Sequence, residues 1–192
     1  MRMASPARTP AARSYTLIEL IIVMAVLALA AAMLVPQLVG RDALTVQAAI
    51  RLLIADLSFA QTDALANQEF RRVVFYDNGA GYCLIRVPSA AWVTPADLSD
   101  PSVDYIYDPL GNQGQYIVNF FEDDRFEGVE ITAADIDGLA LTDRPEITYD
   151  QLGGTINGAA PGTGGNVVMS FGDESYRIDI TAFTGKLTVT KL

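Results

Sequence analysis

The chain has 192 residues, a formal charge of −10 and 51% hydrophobic residues, with a positive mean hydropathy; that hydropathy beside such acidity points to a concentration of apolar residues somewhere along the chain, and the length suits one domain with an appendage. With no histidine, His-based triads, His general bases and His metal sites are excluded, and the single cysteine, Cys83, excludes internal disulfides and multi-cysteine metal clusters. A pI near 4.3 argues against a nucleic-acid partner, because phosphate binding needs a concentrated basic face.

Residues 1–14 form a short basic leader with Arg2, Arg8 and Arg13 and no acid. Leu20 to Val35 are all apolar, and the stretch from Leu17 to Val39 is broken only by Glu19, Pro36 and Gln37. As a helix this stretch reaches roughly 35 Å, enough for a hydrocarbon core of about 30 Å. The preceding arginines keep the leader cytoplasmic and send the chain beyond Val39 across the membrane. Three readings fit such an amino terminus: a removable secretory signal cut near Ala28-Leu29-Ala30, a plain signal anchor, or a leader cut ahead of the apolar run. Glu19 is the discriminating residue. A carboxylate at the apolar boundary needs a cation, and no lysine or arginine lies between Arg13 and Arg41. A cut between Ser14 and Tyr15 would supply one as the new α-amine of Tyr15.

The run Ser14-Tyr15-Thr16-Leu17-Ile18-Glu19-Leu20 resembles the class III signal of type IV pilins and type II secretion pseudopilins, whose members commonly read Gly and then Phe-Thr-Leu-Ile-Glu-Leu. The resemblance implies cleavage after Ser14 by a prepilin peptidase and methylation of Tyr15. It also implies pairing of Glu19 with the terminal amine of a neighbouring subunit, and a helix-kinking proline at Pro36. Serine replaces the usual glycine before the cut, and tyrosine replaces phenylalanine after it.

After Gly40 an amphipathic helix begins, with Val46, Ile50, Leu53, Leu57, Ala60 and Ala64 on one stripe and Arg51, Asp56, Gln61 and Asp63 on other faces. A single helix from Thr16 to Asn67, kinked near Pro36, would be roughly 78 Å long. The pattern divides the chain into a leader (1–14), a membrane and assembly helix (15–39), an amphipathic helix (40–68) and an antiparallel β domain (69–192). The expected strands are Arg72–Tyr76 and Tyr82–Val87 around the Asp77–Gly81 turn, then Gln115–Phe121, Val129–Thr132, Glu146–Tyr149 and Val167–Phe171. At the carboxyl end Tyr176, Ile178 and Ile180 point inward, and Thr184-Gly185 turns into Lys186–Thr190, where Leu187 and Val189 continue the inward face. Residues 88–114, with four prolines, are expected as an irregular excursion, and the glycine-rich 153–165 as a mobile loop. The fold class is α+β, a long amino-terminal helix on antiparallel sheet.

The order of Ser58-Phe59-Ala60-Gln61, Arg71–Phe75 and Thr184–Val189 is similar to the minor pseudopilins of the H type and related minor pilins. This implies a structural subunit rather than an enzyme, in the bacterial inner membrane with its globular part periplasmic, near the tip of a short filament. Its partners would be prepilin peptidase, other pilin subunits and, before assembly, membrane lipid.

Other chemistry is weakly signalled. Gly162-Thr163-Gly164-Gly165 lacks the Lys-Ser or Lys-Thr of a phosphate loop. Cys83 is a strand residue with no histidine to activate it, and Trp92 reads as a local anchor. Between Asp97 and Asp150 lie 14 acidic residues and only Arg125 and Arg144. Asp135 and Asp137 are the calcium candidates there, although Ala133 and Arg144 stand where a helix-loop-helix calcium site needs its end ligands. Two alternatives keep other functions open. A DNA-uptake minor pilin would rely on Arg177, Lys186 and Lys191, and an anchored periplasmic hydrolase would use paired acids.

Overall fold

A computed structural model describes residues 15–39, 41–88 and 95–192. The chain divides into two compact units, Met1–Arg41 and Asp42–Leu192, each described by itself. In the first, helix α1 (Leu17–Val39) runs through position 36. Every residue from Tyr15 to Ala32 is exposed, and all but Thr16 and Glu19 are apolar or aromatic. A helix apolar on all sides has no solvated face and suits a membrane or a bundle of like helices.

The second unit is built on α2 (Arg41–Asn67). By length and composition α2 is also apolar enough to span a bilayer. It is instead the core helix of this unit: Val46, Ala49, Leu53, Leu57, Ala60 and Ala64 are fully buried against strands. Two antiparallel sheets share that core. The first has the order β3-β2-β1-β6-β7-β8, with β1 (Phe70–Phe75), β2 (Gly81–Val87), β3 (Ile117–Asn119), β6 (Glu146–Tyr149), β7 (Thr155–Asn157) and β8 (Ala160–Pro161). The second has the order β11-β10-β9-β4-β5, with β4 (Glu130–Ile136), β5 (Leu139–Ala140), β9 (Gly164–Phe171), β10 (Glu174–Thr181) and β11 (Leu187–Lys191). Val73, Phe75, Tyr82 and Leu84 of the first sheet and Ile131, Met169 and Ile178 of the second join the α2 residues in one hydrophobic core. The two sheets are also joined at a turn, where the Ile131 N–H donates to the Gly79 carbonyl at 3.0 Å.

Several expectations change. Asp56 does not lie on a solvated face: it is 3% exposed, within the apolar stripe between Leu53 and Ala60. Strand β4 runs four residues beyond the expected Thr132, because a bulge between Ile131 and Ala133 shifts the register and breaks the period of two. The expected Gln115–Phe121 strand shrinks to β3, preceded by a 3-10 turn at Asn112–Gly114. The glycine-rich 153–165 carries β7, β8 and the start of β9 rather than a simple loop.

The proline-rich excursion contributes to packing. Strands β1 and β2 are buried on both faces, and the outward set Val74, Cys83, Ile85 and Val87 is covered by Ala96, Leu98, Val103 and Tyr105, while Ile106 enters the main core. Trp92 and the leader lie outside the described residues.

Candidate functional site

The start of α1 is assembled from adjacent residues. Thr16 precedes the first helical residue. Its Oγ1 accepts the Glu19 N–H at 3.3 Å and its carbonyl accepts the Leu20 N–H at 3.2 Å. The first N–H groups of a helix have no intrahelical partner, and a hydroxyl at this position satisfies one of them. The Thr-x-x-Glu spacing is the capping-box pattern, with the acid also placed in the first turn, where the helix dipole favours negative charge. The sequence carries this signal plainly in the hydroxyl and acid three residues apart. Glu19 is the only charged residue between Tyr15 and Val39. Tyr15 is 78% exposed just ahead of the helix. Ser14 lies outside the described residues, and Pro36 lies within α1. Tyr15, Thr16 and Glu19 therefore share one helix end, surrounded by apolar surface from Leu17, Ile18, Leu20 and Ile21.

The calcium candidates are arranged differently. Asp135 is an exposed β4 residue paired with Ala140 and Asn166. Asp137 lies in the following turn, where its Oδ1 accepts the Thr163 hydroxyl at 2.9 Å and the Thr163 N–H. Among the described residues no group of three acidic, histidine or cysteine side chains converges on a common point. Of the three carboxyl-terminal cations, Arg177 pairs with Asp179 at 3.0 Å and Lys191 with Glu174 at 2.6 Å. Cys83 is fully buried, and burial pushes its thiol up to about 11, away from thiolate chemistry.

A cleft of 550 Å³ opens between Leu152, Ile156, Pro161 and Phe183, floored by Gln61. Gln61 donates to the carbonyls of Gly153 at 2.6 Å and Thr184 at 3.0 Å, tying its two walls to α2. Asp150 is the one charged side chain lining it, and its Oδ1 is taken by the N–H groups of Leu152 and Gly154.

Sequence reasoning missed the buried polar groups that fix α2 to the first sheet and join β1 to β6 within it. Asp56 accepts from Tyr82 Oη at 2.6 Å and Tyr116 Oη at 2.7 Å. Burial raises the Asp56 pKa, and the two hydroxyls oppose that rise. Arg71, 2% exposed, is held by Asp63 and Glu69, and Arg72 by Glu146 at 3.2 Å and Thr148 at 2.8 Å. Burial raises the Glu146 pKa, and the Arg72 charge opposes it.

The family of the prokaryotic N-terminal methylation motif matches residues 10–35, the stretch containing the Ser14-Tyr15 bond, the capped helix start and the apolar run. Comparison with curated proteins and with solved structures finds no match. The motif supports a type IV pilin-like or pseudopilin protein, a filament subunit rather than an enzyme, processed by prepilin peptidase and assembled with other pilin subunits. With the apolar α1 it fits a single-pass membrane-anchored pilin.

Proposed function

We propose that this chain is a minor pseudopilin, a structural subunit of a type II secretion pseudopilus or a type IV pilus-like filament. Prepilin peptidase cuts between Ser14 and Tyr15 and methylates the new terminus. Helix α1 then holds the protein in the bacterial inner membrane with its globular unit in the periplasm. The observation that carries this reading is the lone carboxylate of Glu19, set in the first turn of a helix that is opened by Thr16 and is apolar throughout from Leu20 to Val35.

The physics of assembly derives from that placement. A carboxylate at the edge of hydrocarbon costs up to a few kcal/mol, less near the interface than at the centre. A terminal amine from a neighbouring subunit relieves that cost only when the two helices sit in one register. The ion pair thus acts on register and completion more than on raw affinity. Apolar packing along α1 supplies the contact area, and the charge selects its alignment.

The decisive experiment is intact mass and amino-terminal sequencing of the protein from cells with and without prepilin peptidase. The reading requires a methylated Tyr15 terminus in the first case and an uncut leader in the second. An intact Met1 in both, or a start near Ala31, would overturn it.

A further inference from the structure

Among the described residues the two sheets have four outer strands, and three are short and partly blocked by local devices. At β3, the Ile117 N–H donates to its own Gln115 carbonyl and the Asn119 carbonyl accepts from Glu122, both within the same loop. At β8, the Gly162 N–H donates to Thr155, which leaves Pro161, with no N–H, on the free side. Strand β5 has two residues and runs straight into a 3-10 turn, Leu141–Asp143.

Strand β11 is different. The Thr181 N–H donates to the Lys186 carbonyl and the Leu192 N–H to the Ser175 carbonyl, each at 2.9 Å. Antiparallel pairs alternate between bonded and non-bonded. With the register Tyr176↔Lys191 to Ile180↔Leu187, residues 186, 188, 190 and 192 therefore bond to β10. The N–H and C=O groups of Leu187, Val189 and Lys191 point away from it. Lysines often guard such edges, but Lys191 is drawn back onto Glu174 at 2.6 Å and lies 5.8 Å from the Tyr176 ring centroid.

The edge also has an unfinished inner face. Val189 lies opposite the fully buried Ile178, yet is 42% exposed because, among the described residues, no strand continues the sheet beyond β11. Charge adds a third requirement. Arg177 and Asp179 pair on the hairpin, as do Lys191 and Glu174, whereas Lys186 is exposed and has no ion-pair partner among the described residues.

We propose that β11 accepts an antiparallel strand from another protein, apolar at the positions facing Leu187 and Val189 and acidic at the position facing Lys186. Main-chain bonds at three alternate residues supply affinity, and the two apolar contacts with the acid supply selectivity. The proposal rests on β11 alone and stands apart from the filament reading.

The test uses the full chain in detergent micelles and the peptide acetyl-Thr-Thr-Val-Thr-Val-Asp-amide, with residue-resolved hydrogen exchange. Free protein should show slow amides at Thr188 and Thr190 and fast ones at Leu187, Val189 and Lys191. The peptide should slow those three alone. Replacing its Asp by Lys should weaken binding roughly two- to fivefold, the range of a cross-strand charge pair, and Lys186→Glu should reverse the preference. N-methylating the peptide on the edge-facing amides should abolish protection without altering the protein. Protection missing from the three amides, binding that survives N-methylation, or an unchanged charge preference in Lys186→Glu would overturn the proposal. So would protection of these amides that appears with protein concentration alone, which would make a second copy the occupant.

Discussion

Replacing Tyr82 by phenylalanine tests whether Asp56 is the polar pin between α2 and the first sheet. The carboxylate is 3% exposed and held by two phenol hydroxyls at 2.6 and 2.7 Å. Burial and the Asp56 charge push the Tyr82 pKa upward, so this phenol remains a donor. A hydrogen bond to a charged acceptor is worth about 1.5–3 kcal/mol. Tyr82→Phe should therefore cost about 2 kcal/mol at neutral pH and lower the unfolding midpoint by about 4–8 °C. The pH dependence has a definite sign. Because the folded pKa of Asp56 is raised, its contribution is full below the unfolded value of 3.8 and is lost as pH climbs through the raised value. The hydroxyls favour the ionised form, so removing one raises that pKa further. The deficit of the variant then widens from acid toward neutral pH. Urea unfolding at about pH 3 and about pH 7, monitored by tyrosine circular dichroism, reads both quantities. A neutral-pH deficit below about 0.5 kcal/mol, or one equal at both pH values, would refute the pin.

The same packing sets two further outcomes. Gly79 has φ of +72°, and a Cβ there would collide with the Ile131 carbonyl, so Gly79→Ala should cost roughly 2–4 kcal/mol and loosen the junction of the two sheets; an unchanged urea midpoint would contradict this. Iodoacetamide should label Cys83 at least roughly a hundredfold more slowly in the folded chain than in urea, because burial both hides the thiol and keeps it protonated. Fast labelling without unfolding would show that the outer face of the first sheet is open.

What the sequence discloses depends on whether one period governs a segment. Strands β10 and β11 are legible because Tyr176, Ile178 and Ile180 alternate cleanly with polar residues, and all three are buried. Strand β4 is obscured by its bulge, which spaces the inward residues Ile131, Ala134 and Ile136 by three and then two. In β1 and β2, runs such as Val73-Val74-Phe75 and Cys83-Leu84-Ile85 signal strands covered on both faces. Yet nothing in a run of prolines signals that residues 96–105 supply the cover. Asp56 is opaque for another reason. A carboxylate in an apolar stripe reads as an interruption, and its partners Tyr82 and Tyr116 lie 26 and 60 residues away. Val189 takes the inner face that its alternation implies, opposite Ile178, but its place in the outermost strand leaves it exposed, and no local pattern encodes strand order.

The helix start carries its signal in a hydroxyl and an acid three residues apart, and that spacing shows why the obvious test of Glu19 is ambiguous. Thr16 and Glu19 are spaced for helix capping as well as for the assembly role proposed for the acid; Glu19→Ala keeps the bond from the backbone N–H of residue 19 to the Thr16 hydroxyl but removes the acid's place in the capping pattern together with its charge. Glu19→Gln separates them. Glutamine retains the length and hydrogen-bonding head of a capping-box partner, costs little in helix propensity, and discards only the charge. If Glu19 serves register by pairing with a neighbouring amine, Gln and Ala variants should enter membranes as wild type does and fail alike in filament incorporation. Crosslinking between adjacent α1 helices should then fall equally in both. Should Gln restore incorporation to the wild-type level, the carboxylate charge would be irrelevant to assembly and the acid would belong to the helix start alone.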